Sequence, residues 1–248
     1  MDVLTPLLPG EHIEVFGRDL PLIVSQAHTF GTDAFLLADF APKAKLCADL
    51  GTGCGVIPYL LTRDRKAQQI WAVDVQRAAI DQLTRSLAMR DGIRVEPVLA
   101  DLRDLPASIP AGTLDLVTMN PPYTAAGAGL LSENRSDAVA RHGTACTFDD
   151  MCAAAFRLLR FGGSFCVCVR PHRLSELFYV MHDHRVEPKR LRLVCKAPGR
   201  APWLALVEGK AGRNPGLVTE PDLFVHDGDG LSREMRRIMG DYQNKETL

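Results

Sequence analysis

Residues 49–55 of this 248-residue chain, Asp-Leu-Gly-Thr-Gly-Cys-Gly, decide its fold. They follow a short apolar run at 46–50 and precede a helical pattern near 56–64. The three glycines let the backbone turn sharply and approach a ligand without a Cβ in the way. A strand, a glycine-rich turn and a helix in this order are typical of a parallel α/β sheet, which binds ligands beyond the carboxyl ends of its strands.

The alternation of strands and helices continues towards the C-terminus. Thr147, followed by two aspartates, predicts the start of a helix that is expected to close at Gly162-Gly163. We predict strands at 70–73, 94–99, 114–119, 164–169, 190–195, 202–208 and 217–225, and helices at 76–90, 147–160, 172–184 and 231–240. This alternation predicts an α/β fold with a parallel, doubly wound sheet.

Two apolar runs ahead of this series predict a small hairpin. The runs at 12–16 and 20–25 flank Gly17-Arg18-Asp19, and Pro21 limits the second run to an edge strand. A short helix is expected over 32–41, with Thr32 as its N-cap.

Acidic residues stand at the ends of the first three strands of the series. Asp49 ends the first strand, Asp74 ends the second, and Asp101 lies just beyond the third. Asp74 can accept hydrogen bonds from both hydroxyls of a ribose, and Asp101 can accept one from the amino group of adenine. The alternative is that each aspartate caps the helix that follows. A nicotinamide-dependent oxidoreductase is disfavoured, because Val56 stands where the dinucleotide fingerprint requires its last glycine.

The glycine turn and the acidic strand ends resemble those of class I S-adenosylmethionine-dependent methyltransferases over roughly residues 26–208. The resemblance implies a Rossmann-like, mostly parallel sheet of seven strands, with S-adenosyl-L-methionine as the cofactor. The cofactor-binding residues that it implies are Asp49, Gly51, Thr52, Gly53 and Gly55 around the turn, Asp74 and Val75 at the ribose, Asp101 and Leu102 at the adenine, and Asn120.

The tetrapeptide Asn120-Pro121-Pro122-Tyr123 ends the fourth strand of the series and contains the predicted catalytic residues. An amino group conjugated to a ring is a poor nucleophile because its lone pair is delocalised. The side-chain carbonyl of Asn120 and the backbone carbonyl of Pro121 can each accept one N–H, which holds the nitrogen in line with a sulfonium methyl group. The prolines fix the turn, and Tyr123 offers a flat face for a base. The alternative is an ordinary Asn-Pro turn.

The substrate is indicated by a closer resemblance to bacterial enzymes that methylate adenine N6 beside the anticodon of a valine tRNA. It rests on residues 26–38, on Ala140-Arg141-His142, on Arg170 and Arg173, and on residues 187–192. It implies methyl transfer to an adenine N6 in RNA, in particular tRNA. The chain has Gly143 where these relatives commonly have Glu, which weakens the role of this loop. Asp33 is expected to close over the cofactor, or else to cap a helix.

Three other functions stay open at this point. Glutamine-N5 methyltransferases of release factors share the tetrapeptide but carry a longer helical domain ahead of the core. Guanine-N2 methyltransferases of ribosomal RNA end the motif in Phe, where this chain has Tyr123. An RNA-binding scaffold that retains the fold without activity is the non-enzymatic alternative.

Charge supports an RNA partner to a modest degree. The chain carries a net charge of −1, but residues 170–213 contain ten Lys and Arg against four Asp and Glu, a net +6. A basic patch beside the base-binding pocket would contact phosphates, whereas the alternative is a solvated surface. The candidate nucleic-acid contacts are Arg141, His142, Arg170, Arg173, Lys189, Arg190 and Arg192.

Composition predicts a globular cytoplasmic protein. The chain is 46% hydrophobic and 24% charged, and we find no secretory signal and no apolar run long enough to span a membrane. Seven scattered cysteines predict reduced thiols and no metal site. We expect one compact unit with an N-terminal hairpin and cofactor-covering helix (1–42), a methyltransferase core (43–210) and a C-terminal extension (211–248). The oligomeric state stays open.

Overall fold

The computed structural model describes residues 7–17, 19–121 and 146–245. Its central sheet contains strands that we number in chain order after an N-terminal hairpin, β1 (Glu11–Phe16) and β2 (Leu20–Ser25). The sheet strands are β3 (Leu46–Leu50), β4 (Gln69–Asp74), β5 (Val95–Leu99), β6 (Leu114–Met119), β7 (Leu159–Val169), β8 (Val186–Cys195), β9 (Pro202–Ala211), β10 (Val218–Thr219) and β11 (Leu223–Phe224). A short pair, β12 (His226–Asp227) and β13 (Gly230–Leu231), lies outside it.

The order of the strands confirms the predicted fold class, and the short strands β10 and β11 extend the expected seven-stranded sheet to nine strands. The sheet runs β10-β8-β9-β7-β6-β3-β4-β5, and β11 also pairs with β8. Strand β9 is antiparallel to both of its neighbours, and the other pairings are parallel. The chain winds outward from β3 through β4 to β5, and later from β6 to β7 on the other side. The order therefore reverses between β3 and β6, where sheets of this kind bind their ligands.

Helices cover both faces of the sheet because both faces are apolar. One buried cluster joins the sheet to α1 (Thr32–Phe40), α2 (Val56–Arg63), α3 (Arg77–Ala88) and α6 (Arg233–Met239). The other joins it to α4 (Phe148–Leu158) and α5 (Leu174–Asp183). Short 3₁₀ segments at Pro171–Arg173 and Gly240–Lys245 precede α5 and follow α6. Among the described helices, none has both the length and the apolar composition that a membrane crossing requires.

Two predicted helix boundaries are wrong. Gly31 is the N-cap of α1, and Thr32 is already its first residue. Helix α4 begins as predicted with a capping box between Thr147 and Asp150, but it ends at Leu158. Gly162 and Gly163 lie inside β7, where its register against β6 is irregular. Gly162 adopts φ 74°, and a Cβ on Gly163 would lie 2.8 Å from the Leu114 carbonyl oxygen, so these glycines serve an irregular strand.

The N-terminal hairpin packs against α3, one of the four helices of the first buried cluster. In the hairpin, the Ile23 amide donates to Ser86 on α3, and Glu11 pairs with Arg85.

The predicted late strand at 217–225 divides into β10 and β11, because Pro221 lies between them and has no amide hydrogen to donate. The division of the chain into an N-terminal segment (1–42), a core (43–210) and a C-terminal extension (211–248) stays a prediction.

Candidate active site

The carboxyl ends of four neighbouring strands bring the predicted site residues to one edge of the sheet. Leu50 at the end of β3 lies opposite Val73 of β4 and opposite Met119 of β6. Met119 in turn lies opposite Val167 of β7. The residues that follow these positions, including Gly51, Asp74 and Asn120, therefore leave adjacent strands at the same level.

The glycine turn lies between β3 and α2 and depends on left-handed backbone conformations. Gly51, Gly53 and Gly55 have φ values of 67°, 55° and 89°. A Cβ on Gly53 would meet nothing within 4 Å, so this part of the turn borders open space. A Cβ on Gly55 would lie 2.4 Å from a Leu83 methyl carbon, so this glycine permits the close packing of α2 against α3. The turn thus leaves room for a ligand at its centre.

Asp74 is buried at the end of β4 and anchors the turn. Its Oδ2 accepts the Gly53 amide at 2.8 Å, and its Oδ1 accepts the Gln76 amide at 2.8 Å. Each carboxylate oxygen retains a second lone pair that can accept a further donor. The next side chain, Val75, is 45% exposed, which is unusual for an apolar residue at a strand end. Asp74 therefore holds the turn in place and retains lone pairs for a ligand beside the exposed Val75.

Asp49 is a buried carboxyl with unused hydrogen-bonding capacity. Its Oδ1 accepts the Thr118 hydroxyl at 2.7 Å, and its Oδ2 has no partner among the described residues. The Thr52 hydroxyl, also buried, likewise lacks a partner within that part of the chain. Burial raises the pKa of Asp49 to about 7, while the hydrogen bond from Thr118 and the nearby Thr52 hydroxyl act in the opposite direction. A cationic donor at Oδ2 would relieve this cost.

Asp101 lies beyond β5 and is bound by its own loop. Its carboxylate accepts the Arg103 amide at 2.9 Å and pairs with the Arg103 guanidinium. Those hydrogen bonds hold the pKa of Asp101 below its usual value. Leu102 is partly buried against the second apolar cluster. Asp101 is thus ionised and half-exposed, and it can exchange its Arg103 contact for another donor.

Asn120 follows directly after β6 and is joined to β7. The buried Cys168 thiol donates to Asn120 Oδ1 over 3.0 Å. Pro121 is half-buried beside it. Pro122 and Tyr123 lie outside the described residues, as do Arg141 and His142. The described half of the tetrapeptide therefore places an oriented amide at the point where strand order reverses.

Asp33 lies in the first turn of α1, where its Oδ1 accepts the neighbouring Ala34 amide at 3.0 Å. Beside it, a cavity of about 210 Å³ is lined by Phe30, Thr32 and Phe35 of this segment and by Tyr242. The hydrogen bond at the helix end accounts for Asp33 in this structure, and its place over a cofactor stays a prediction.

The predicted basic residues are engaged with other groups. Arg190 pairs with Glu208 at 2.7 Å and with Glu220 at 3.0 Å. Arg192 pairs with Glu234 at 2.8 Å. Both arginines are largely covered.

The other three predicted basic residues that the structure describes also contact protein groups. Arg173 pairs with Glu176 at 2.7 Å. Lys189 donates to the Asn214 carbonyl, and the Arg170 guanidinium lies 5.4 Å from the centre of the Trp203 ring.

The basic segment does not form the expected single patch. Strands β7, β8 and β9 cross the full sheet, so their ends lie at opposite edges. Arg170 lies at the edge of the glycine turn, whereas Lys210 pairs in register with Ser164, which lies opposite Leu116 near the start of β6. The cations of residues 170–213 therefore divide between the two edges.

Three residues that the sequence reasoning missed contact the site residues: Thr118, Cys168 and Arg103. Thr118 is fully buried within an apolar strand, and this polar position was a usable signal. Cys168 has no comparable signal, because a small thiol in an apolar strand is typical of any core.

Comparison with known proteins agrees with this geometry. The model of the methyltransferase small domain family matches residues 23–176. A tRNA1(Val) (adenine(37)-N6)-methyltransferase from Serratia proteamaculans is 29% identical over 217 residues, covering 86% of this chain and 82% of that protein. A protein of the same name from Phocaeicola vulgatus is 31% identical over 186 residues, 67% of this chain and 76% of its own length. In fold, the chain is similar to a "predicted O-methyltransferase" from Agrobacterium tumefaciens, with a TM-score of 0.66 at 22% identity over 83% of this chain and 94% of that one.

Proposed function

Because the chain belongs to the methyltransferase small domain family and is a class I S-adenosylmethionine-dependent methyltransferase, we propose that it methylates the N6 amino group of an adenine in tRNA. The single observation that supports this most is the placement of Asn120 beside the glycine turn, with its side-chain oxygen held by Cys168. The relatives from Serratia and Phocaeicola, which are named for this reaction, supply the substrate.

The residues at the strand ends fit S-adenosylmethionine. The unpartnered Asp49 Oδ2 and Thr52 hydroxyl are buried polar atoms that need a donor or acceptor, and the amino acid part of the cofactor has both. Asp74 retains lone pairs for the ribose hydroxyls, and the open space at Gly53 admits a bulky group. Val75, Asp101 and Leu102 would bind the adenosine. When bound, the cofactor supplies an electrophilic methyl group on a sulfonium.

The chain's own contribution is to orient the attacking amine. The Asn120 side-chain oxygen and the Pro121 carbonyl each accept one N–H of the adenine amino group, which turns its lone pair out of the ring system and towards the methyl group. The oxygens stabilise the positive charge that develops on nitrogen as the bond forms. The extra proton leaves to solvent after transfer, so no general base is needed. Pro122 fixes the turn, and Tyr123 stacks on the base in this proposal.

The test uses tRNA from a strain that lacks the protein. We expect digested tRNA from the deletion strain to lack N6-methyladenosine that the parent contains, as measured by mass spectrometry of nucleosides. Wild-type protein returned on a plasmid should restore the nucleoside, and Asn120→Ala should not. Purified enzyme with labelled cofactor is then offered bulk tRNA and, separately, a release factor. Label on the release factor and none on tRNA would replace this proposal with a glutamine methyltransferase, and N2-methylguanosine as the missing nucleoside would indicate the guanine enzyme.

A further inference from the structure

A strongly basic cavity opens at the edge of the sheet opposite the glycine turn. Its volume is about 530 Å³, and it lies where β3, β6 and β7 begin and where α2 and β9 end. The charged side chains that line it are Lys43, Lys45, Arg65, Lys66, Arg160 and Lys210, with Asp115 as the carboxylate. Six cations against one anion are notable in a chain whose net charge is −1.

The carboxylate of the cavity is already neutralised by the protein. Asp115 pairs with the Arg160 guanidinium at 2.7 Å and accepts the backbone amides of Lys45 and Leu46. Burial acts to raise the pKa of Asp115, but these hydrogen bonds and the Arg160 charge hold it below the usual value. The carboxylate therefore does not offset the remaining cations.

Two of the other cations bind protein oxygens. Lys66 donates to the carbonyls of Ala38, Asp39 and Ala41 at the end of α1. Lys210 lies 3.2 Å from Glu208 and donates to Ser164. These two lysines line the cavity with ammonium groups that protein oxygens already bind.

Lys43, Lys45 and Arg65 are exposed, and their side chains have no hydrogen-bond or ion-pair partner among the described residues. Arg65 is the more informative because it has φ 51°, a left-handed conformation. The amides of Arg65 and Lys66 donate to the carbonyls of Thr62 and Leu61, which is the helix ending where glycine is preferred. The chain thus has an arginine at the cavity mouth where its backbone favours glycine.

We propose that this cavity binds backbone phosphates of the RNA substrate, as a second contact remote from the methyl-transfer edge. Cations without partners around a depression recognise phosphate through charge and several N–H donors at once. A strand of five residues separates the two edges by about 15–20 Å, so the proposal requires the RNA to extend from one edge of the sheet to the other. The inference rests on the proposed RNA substrate and extends it to a surface that the catalytic residues do not touch.

The test compares paired variants of the full chain. Lys43→Gln/Lys45→Gln removes two free cations from the cavity, and Arg233→Gln/Arg236→Gln removes two exposed cations on α6 as the control, of which Arg236 also donates to the Leu231 carbonyl. Arg65→Gly removes the third cation while relieving its backbone, so this variant folds at least as well as the wild type. Labelled tRNA is titrated by fluorescence anisotropy over a range of salt concentrations, and S-adenosylhomocysteine affinity is measured in parallel.

We expect the cavity double variant to bind tRNA about fivefold or more weakly at low salt. Its slope of log affinity against log salt should be shallower by about 1.4–1.8, since each phosphate contact contributes about 0.7–0.9. Arg65→Gly should weaken tRNA binding and retain or raise the Tm. S-adenosylhomocysteine affinity should be unchanged in all variants. Wild-type affinity and slope in the cavity double variant, or an equal loss in the α6 control, would overturn the proposal.

Two further comparisons complete the test. One distinguishes RNA phosphates from small phosphate compounds, and the other distinguishes failure of the cavity proposal from failure of the proposed reaction. Inorganic pyrophosphate is titrated by calorimetry against the wild type with and without tRNA. Pyrophosphate that binds the cavity and is not displaced by tRNA would overturn the RNA assignment. If tRNA binds through the cavity but no nucleoside is methylated, the proposed reaction fails and the cavity stands. If methylation proceeds and the cavity variants bind tRNA normally, the proposed reaction stands and the cavity proposal fails.

Discussion

At the scale of single residues, the site consists of side chains held by one or two neighbours that lie far away in sequence. Asn120 is bound by Cys168, Asp49 by Thr118, and Asp74 by the amide of Gly53. A site built from such pairs predicts that a single substitution acts either on the chemistry or on cofactor binding. Substitutions at Asn120 and Cys168 test the chemistry, and a substitution at Asp49 tests the cost of its burial.

Asn120→Ala should lower kcat by about 10²–10³, similar to the loss of one oxyanion-hole donor. The reason is that the amine loses one of the two oxygens that orient it. S-adenosylhomocysteine affinity, measured by calorimetry, should change little, and Asn214→Ala serves as an exposed control. A collapse of cofactor affinity with normal turnover of the bound complex would remove Asn120 from the amine-positioning role.

Cys168→Ala should lower kcat by about two- to tenfold, which corresponds to one neutral hydrogen bond. Cys168→Ser keeps a donor towards Asn120 and should recover most of the rate, whereas a purely packing role would not distinguish a hydroxyl from a methyl group in this way. Single-turnover rates at saturating cofactor check this. Equal rates for the Ala and Ser variants would show that the thiol does not position Asn120.

Asp49→Asn should stabilise the cofactor-free protein in alkaline solution. Because the folded pKa is about 7 against 3.8 for a free side chain, the wild type loses stability as pH rises from about 4 to about 7, and the loss is complete above 7. The Tm of the variant should therefore exceed that of the wild type by several degrees more at pH 8 than at pH 4. Thermal unfolding with the exposed Asp229→Asn as control tests this. A difference that is the same at both pH values would contradict a raised pKa.

At the scale of elements, the described C-terminal segment joins the last helix, α6, to α1 and α2. Arg63 at the end of α2 donates to the carbonyls of Ile238 and Met239, which end α6. Arg237 of α6 pairs with Asp39 of α1 at 2.8 Å. The Arg63 side chain is 15% exposed and the Arg237 side chain is 58% exposed. We therefore expect Arg63 to contribute more to the free energy of unfolding than Arg237.

Arg63→Ala should cost about 3 kcal/mol of unfolding free energy, because two buried carbonyls lose a charged donor. Arg237→Ala, used for comparison, should cost less, about 1–2 kcal/mol, since Arg237 is 58% exposed although its partner Asp39 is largely covered. Urea unfolding followed by circular dichroism measures both. Equal costs would show that the carbonyls of α6 are not held by Arg63.

At the scale of the whole molecule, the sheet separates two kinds of charge. Asp49, Asp74 and Asp101 gather at the carboxyl ends of the strands, and the basic cavity lies at the amino ends. A nearly neutral chain thereby has one edge suited to a cationic sulfonium ligand and another suited to phosphates. Ligand binding at the first edge should stabilise the entire fold.

S-adenosylhomocysteine at one hundred times its Kd should stabilise the protein by about 2.7 kcal/mol and raise the Tm by about 5–10 °C. Asp74→Ala at the same ligand concentration should show at most half of this shift, because the ribose loses its acceptor. The exposed Asp81→Ala on α3 should keep the full shift. Differential scanning calorimetry measures all three, and equal shifts in the two variants would exclude Asp74 from the ribose role.

The sequence by itself determined the fold class, the position of the glycine turn and the family. Those properties follow from local signals: hydrophobic periodicity, a cluster of glycines that permits a sharp turn, and polar residues at strand ends. For the same reason it predicted Asp49, Asp74 and Asn120 as neighbours, since adjacent parallel strands end together.

Only the tertiary structure decided the contacts between distant segments. Strand β9 lies between β7 and β8 and runs antiparallel to both, so Lys210 near its end lies at the edge opposite the glycine turn. The basic segment is therefore divided between the two edges. The pairs Thr118–Asp49 and Cys168–Asn120 depend on strand order and register, as does the meeting of residues 43–45, 65 and 160 at one cavity. Register is fixed by the packing of whole strands and not by any local pattern, so these groups become neighbours only when the sheet has formed.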